Sequence, residues 1–214
     1  MKEIIPSEIT IAELHGIMLG AIAPRPIAFV STIDKDGVPN LAPFSFFNAM
    51  SDNPPTVVLG FSGNHTEGGP KDTLHNIEQS GEFVCNVVTY EIRDAMNATS
   101  EMVSRNVNEF ELGKLTAASS SLIKPPRVQE SPVNMECVHL KTIELPCNNP
   151  DAKNHMVLGQ VVGIHINDDF IKDGMVDMTK FHPLARLGYK DYSAVMEVFS
   201  LDRPDQAAQD LRMK

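Results

Sequence analysis

Six stretches of the chain carry the apolar, β-branched and alternating patterns of strands. Residues 26–33 (PIAFVSTI) are apolar and β-branched and run into DKDG, a turn signal built on Asp36-Gly37, so that 37–50 is the return arm of a hairpin. A third strand, TVVLGF (56–61), is entered through Pro54-Pro55. The fourth, EFVCNVVTY (82–90), is almost continuously apolar, the pattern of a strand buried on both faces. ECVHLKTIEL (136–145) alternates with a period of two, and HMVLGQVVGIHI (155–166) is the sixth. Helical signals are fewer. Residues 7–19 show a loose stripe of Ile9, Leu14, Ile17 and Met18, with Thr10 three positions before Glu13 as in a capping box. TLHNIEQS (73–80) reads as a helix closed by Gly81, and the Ala-, Met-, Asn- and Ser-rich stretch 90–122 as helical before PPRVQESP ends it. Residues 170–193 read as loops with short turns. Strands joined by short or antiparallel connections, with helices between hairpins, predict a mainly β fold: a closed or nearly closed antiparallel, Greek-key-type barrel with peripheral helices.

One stretch breaks its own pattern. In GVPNLAPFSFFNAM (37–50), Pro39 and Pro43 lack the N–H that a ladder needs, and Phe44, Phe46 and Phe47 crowd Ser45 and Asn48. Either this is a capped edge strand, or a ligand takes the hydrogen bonds that a neighbouring strand would otherwise make.

Length and charge narrow the classes. A chain of 214 residues fits a single domain, 1–214, with a C-terminal tail (200–214) that has the look of an arm packing on a second subunit. A net charge of −10, no Trp and three Tyr offer neither the electrostatic footprint nor the stacking surface of a nucleic-acid binder. No apolar run approaches the roughly 20 residues of a membrane span, and the opening MKEIIPSEIT is unlike a signal sequence. Three cysteines without CxxC spacing argue against a disulfide framework. The expectation is a cytoplasmic protein, with the Asn-x-Thr triplets at Asn64 and Asn97 coincidental.

Most familiar catalytic signatures are missing: no HExxH, GxSxG, GxGxxG or zinc-type Cys/His spacing occurs, so neither a metal nor a catalytic acid or base is assigned. Cys85 lies mid-strand, as a buried thiol does. His155 and His165 share one strand at a distance too great for joint ligation. In GNHTEGGPKDTLHNIEQSG (63–81), Lys71, Asp72 and Thr73 stand at a helix start, where free N–H groups attract anions. Locally this is either a phosphate site or a helix capped by Asp72 beside a solvated Lys71. Arg25 between two prolines and Arg186 in HPLARLG are candidate phosphate clamps or plain surface arginines. Asn86, an amide in an apolar strand, must find internal partners.

Several strings together carry a resemblance: IAPRPIAFVST with DKDGVPNLAPFSFF (22–47), NPPTVVLGF (53–61), KDTLHNI with GEFVCNVV (71–88) and HPLARLG (182–188). In this order, over about residues 15–195, the chain resembles the flavin reductase-like family of FMN-binding split barrels. The resemblance implies FMN as cofactor, with Pro43, Phe44, Ser45 and Phe46 as the wall along the flavin. Lys71, Asp72 and Thr73 would hold the phosphate, with Ser62, Arg25 and Arg186 as further contacts. It also implies a homodimer, with NADH or NADPH as hydride donor and His182 near the incoming nicotinamide. Flavin chemistry asks little of side chains, and backbone N–H groups of residues 42–46 would stabilise the reduced ring. The leading expectation is an NAD(P)H-dependent flavin reductase. The alternative is an FMN-holding electron carrier that meets a redox partner protein, and a third is a barrel that has lost its flavin. Where family members often carry paired glycines after the last arginine, this chain has Gly188-Tyr189.

Overall fold

The computed structural model describes residues 1–201, so the predicted C-terminal arm falls almost wholly outside the described residues. Thr10 caps the first helix through a complete capping box with Glu13, so α1 spans Ile11–Ala21, and Pro6–Glu8 forms a separate 3-10 turn where the sequence suggested helix from residue 7. The strands follow: β1 (Arg25–Pro26), β2 (Ala28–Ile33), β3 (Pro39–Phe44), β4 (Phe47–Asp52) and β5 (Pro55–Ser62). After α2 (Asp72–Ser80) come β6 (Glu82–Val87), α3 (Arg93–Ala98), α4 (Glu109–Leu112), β7 (Ala117–Ala118) and β8 (Arg127–Val128). Two long strands, β9 (Val133–Leu145) and β10 (Asn154–Ile166), precede β11 (Ile171–Lys172), β12 (Met175–Val176), β13 (Leu184–Arg186) and β14 (Tyr192–Ala194).

Seven strands form one antiparallel sheet in the order β3-β2-β6-β9-β10-β5-β4. The sheet curls until Phe44 on β3 and Phe61 on β5 meet as a tilted pair (54° between ring planes) with centroids 4.7 Å apart, while β3 and β4 remain unpaired edges, which makes a split barrel rather than a closed ring. Residues of successive parity on β2 face two cores. Ala28 and Val30 pack inside the curl with Leu59, Phe83, Cys85 and Val157, whereas Ile27 and Phe29 pack outside it with Leu41, Val88, Met96 and Leu184. The strand from Glu82 is buried on both faces, as its apolar run predicted, and Asn86 is the satisfied core amide: it donates to Phe29 O (2.8 Å) and accepts from Val128 N (2.9 Å). Inside the curl, β10 passes so close to Phe83 that a Cβ at Gly159 would collide with the Phe83 ring. Phe83 has no room to retreat at 0% exposure. Gly159→Ala is therefore expected to cost about 1–3 kcal/mol of stability, read as a lower urea midpoint.

Two expectations need correction. The stretch 90–122 is not a long helix: beyond a 3-10 turn at Tyr90–Ile92, only α3 and α4 are α-helical. Thr99 and Ser100 turn their hydroxyls back onto Met96 O and Asn97 O, and Asn108 caps Phe110 N, so local polar side chains end one helix and start the next. The segment 37–50 is not one arm either, because it breaks at Ser45–Phe46 into β3 and β4 on opposite edges of the sheet. Within the loops read for 170–193, β13 pairs with β1 and sets Arg186 opposite Arg25.

Candidate flavin groove

The prolines of β3 cost the ladder nothing. The Leu41 amide points away from β2 and donates to Glu109 Oε2 (3.1 Å). Residues 39 and 43 share its parity, and both are prolines, so β3 keeps its ladder with β2 through residues 40, 42 and 44. The outer edge is left nearly free of donors, which blunts it against further pairing. This corrects one sequence expectation: the amides of Ala42 and Phe44 face β2 and Pro43 has none, so only Ser45 and Phe46 of residues 42–46 keep amides directed elsewhere.

Helix α2 delivers the second wall. Gly81 ends it in the left-handed region (φ 73°), while at its start Lys71 is the N-cap and no side chain caps the helix. The amides of Asp72, Thr73 and Leu74 therefore have no intrahelical acceptor. Asp72 does not cap the helix, because its carboxylate pairs with Arg105, with His65 Nε2 at 3.6 Å. Arg105 also donates to Gly68 O (2.7 Å) and so ties the glycine-rich loop to the helix. Thr73 is buried and gives its hydroxyl to Asn40 Oδ1 (2.8 Å), and Asn40 donates to Glu109 Oε1 (3.0 Å). One buried chain of hydrogen bonds thus fixes α2, β3 and α4 to one another. Burial pushes the Glu109 carboxyl above its ordinary pKa, against the lowering effect of its backbone and Asn40 donors.

Lys71 stands apart from this network. It is half-buried, and its ammonium has no carboxylate or hydrogen-bond partner among the described residues. Burial lowers its pKa below the ordinary lysine value. A cation desolvated without a partner is costly, and an anion laid beside it would relieve that cost.

Two cavities run along these walls. One, of about 130 Å³, is lined by Pro43, Phe44, Lys71, Asp72, Thr73 and Ser100 among others. The next, of about 230 Å³, is bounded by Ile27, Pro43, Ser45, Ser100, Arg186 and Tyr192 with Met96. Pro43 and Ser100 belong to both, so the pair forms one groove with Lys71 at one end and Arg186 at the other. Arg186 is oriented from two sides: it lies over the Tyr192 ring (4.4 Å to the centroid) and donates to Tyr189 O (2.5 Å). Tyr189 reaches that position with a positive φ of 56°, the conformation a glycine would adopt without strain.

Of the other predicted contacts, Arg25 lies just behind the groove. Its guanidinium donates to Leu19 O, Ile22 O, Leu187 O (2.8 Å) and Ser45 Oγ (3.4 Å), which leaves one N–H for anything else. Burial, and then the nearby Arg186 charge, lower its pKa. Phe46 and Ser62 border neither cavity: Phe46 lies exposed across the backbone of Gly60, and Ser62 sits at the exposed end of β5 opposite Asn154. His182 pairs with Glu91 Oε1 at 3.2 Å, away from both cavities. Asn40, Glu109, Ser100 and Tyr192 went unnoticed in the sequence, since nothing in their local pattern marks them.

The flavin reductase-like domain model matches residues 19–185. The chain belongs to the flavin reductase-like family. A curated relative of this flavin reductase-like chain, the uncharacterized protein BH2278 of Halalkalibacterium halodurans, is 35% identical over 199 residues, covering 93% of this chain and 95% of that one. Among solved structures, nitrilotriacetate monooxygenase component B from Bacillus cereus superposes with a TM-score of 0.88 at 33% identity, over 94% of this chain and 98% of that one. The 2-nitrobenzoate 2-nitroreductase NbaA of Pseudomonas fluorescens gives a TM-score of 0.83 at 28% identity, over 95% and 96% of the two chains. Among the described residues no helix is long and apolar enough to cross a membrane, and no cluster of potential metal ligands occurs.

Proposed function

We propose that the groove binds FMN and that the protein is an NAD(P)H-dependent flavin reductase. The observation that carries this reading is Lys71: a half-buried cation without a partner among the described residues, at the start of α2 that no side chain caps, on the wall of a groove that runs on to Arg186. The phosphate fits that end, where Lys71 supplies charge and the amides of residues 72–74 supply donors. The ring then lies along Pro43, Ser45 and Ser100 toward Arg186. When bound, FMN supplies the two-electron chemistry. The protein's part is to seat and shield it: Pro43 and Phe44 exclude water from one side, and Arg186, held by Tyr189 and Tyr192, offers positive charge at the far end. Thr73 keeps its hydroxyl on Asn40 and so contributes its amide. Arg25 acts through Ser45, whose hydroxyl it holds.

The names of the two structural neighbours, a monooxygenase component and a nitroreductase, favour a reductase over a bare electron carrier. A homodimer belongs to the same proposal, since α1 has no buried residue and exposes Ile11, Ile17 and Met18, with Ile22 exposed at its C-cap. The test is the visible spectrum of the protein with FMN, before and after anaerobic NADH or NADPH. Protein-perturbed flavin bands that bleach with nicotinamide support the reductase. Bands that bleach only with a reduced protein donor favour the carrier, and an unperturbed spectrum removes the flavin reading altogether.

The proposal also fixes a pH profile. The folded pKa of Lys71 lies below its unfolded value, so the apo groove loses its cation as pH rises through that lowered value. Bound phosphate restores the charge, so FMN binding takes up protons there. Affinity should be flat from above the phosphate pKa of about 6 up to that value and then fall. Titration calorimetry in buffers of different ionisation enthalpy reads the uptake, and riboflavin, which lacks the phosphate, should show none of it.

A further inference from the structure

Glu109 is 7% exposed on α4, and both of its carboxylate oxygens are spent on neutral donors: Oε1 accepts from the Asn40 side-chain amide (3.0 Å) and Oε2 from the Leu41 N–H (3.1 Å). That choice of partners sets a direction. A carboxylate only accepts, so the Asn40 amide must turn its NH₂ toward Glu109 and its oxygen away. The oxygen accepts from the Thr73 hydroxyl (2.8 Å) and from the Thr32 hydroxyl (3.3 Å), which itself accepts from the Asn76 amide (3.1 Å). Every hydrogen in this chain points toward Glu109. Thr73 is the second residue of α2 and lines the same cavity as Lys71, so the hydroxyl turned onto Asn40 is one that could otherwise face a ligand there. Glutamine at position 109 would keep the shape and supply one acceptor and one donor. Its oxygen can take the Leu41 N–H while its NH₂ faces Asn40, and the Asn40 amide is then free to reverse. The Thr73 oxygen becomes an acceptor and its hydrogen is released; the bond given up is the one from Thr32, the longest of the set.

We propose that Glu109 is a positioning residue that limits the groove's selectivity for phosphorylated flavin: acting through Asn40, it commits the Thr73 hydroxyl to the protein and leaves the phosphate to Lys71 and the helix amides. This deepens the flavin reading of the groove and rests on it.

The test compares FMN with riboflavin, by flavin fluorescence, for the full chain, for Glu109→Gln, for Asn40→Ala, and for each of these combined with Thr73→Val. Glu109→Gln should raise the ratio of FMN to riboflavin affinity about tenfold, a gain that loss of a merely structural residue would not give. Asn40→Ala removes the acceptor instead of the charge and should move the ratio the same way, so the outcome does not hang on one variant folding. Measured against Thr73→Val alone, both gains should disappear, because the hydroxyl they release is gone. A Glu109→Gln gain that survives in the Thr73→Val background is the loss of a negative charge near the phosphate, and overturns the inference. A ratio unmoved or lowered in both single variants overturns it too. Either result leaves the flavin groove standing, since the unaltered protein would still bind FMN more tightly than riboflavin. Failure of the unaltered protein to bind either flavin removes the groove itself and this inference with it.

Discussion

Lys71→Met is expected to weaken FMN binding about 10- to 100-fold, the equivalent of about 1.4–2.7 kcal/mol, with riboflavin affinity changed less than about twofold. Methionine preserves the length and apolar stem of the side chain, so α2 keeps its packing and the substitution removes little but charge. The folded apo protein should lose no stability, because the lysine is desolvated there without a partner. A gain is the expected sign. That combination, a stabler protein with a poorer grip on one phosphate, separates a ligand-binding lysine from a structural one. Equal loss for FMN and riboflavin would instead mean that the groove had been deformed, and unchanged FMN affinity would move the phosphate away from α2.

The second large effect is expected at Glu136, which has no part in the groove. Its side chain is 0% exposed and accepts from Ser121 N (2.7 Å), Leu122 N (2.7 Å) and Ile123 N (3.2 Å), with His165 Nε2 at 2.5 Å. Glutamine offers one acceptor where the carboxylate offers two and turns an NH₂ toward existing donors. Glu136→Gln should cost about 3 kcal/mol or more in urea unfolding at neutral pH. Burial alone would raise the Glu136 pKa, but the Ser121 amide, His165 and the Leu122 amide outweigh it, and the folded value is lowered. A lowered folded value gives stability that is present above the unfolded value, near about 4.3, and lost as pH falls through the folded one. The variant should therefore show a flatter decline on acidification. FMN affinity of the folded fraction should be unaltered, since residues 121–123 lie outside the groove.

These two sites differ in how far the sequence disclosed them. The helix start that carries Lys71 was visible from a local signature (glycines, a proline, then a polar triplet before an apolar period), but locally it also read as a capped helix with a solvated lysine, and only the family resemblance pointed to a phosphate. Glu136 was read only as a polar position in an alternating strand, for the amides it serves sit thirteen to fifteen residues upstream, at the end of a stretch whose sequence reads as helical and which instead forms bends there. The same division runs through the fold. The β2–β3 hairpin, the Thr10–Glu13 box and the Gly81 stop depend on neighbours in sequence and were legible. The break at Ser45–Phe46 was not, because which edge of the sheet a strand joins is decided by long-range register. Nor was the pairing of Arg25 with Arg186, a contact across 161 positions that gives opposite roles to two arginines, one between prolines and one three residues after Pro183. One is consumed by backbone carbonyls and the other is presented to the groove. Glu109 and Asn40 were missed for the same reason, each completing the other's hydrogen bonds from distant parts of the chain.

Arg25 has a wider reach than its role behind Ser45. Its guanidinium joins the last turn of α1, through Leu19 O and Ile22 O, to Leu187 O, next in sequence to Arg186. Helix α1 contributes no buried side chain of its own, so its opening free energy is small and rests on that joint, on its capping box and on the close approach of Gly16 and Gly20 to Tyr189 and Gly188. If, as proposed, a second subunit covers α1 and flavin sits against Arg186, Arg25 joins the two, and any coupling between them is symmetric: a flavin that tightens the dimer is itself bound more tightly by the dimer, by the same factor. Flavin affinity measured against protein concentration would then report on the cover over α1.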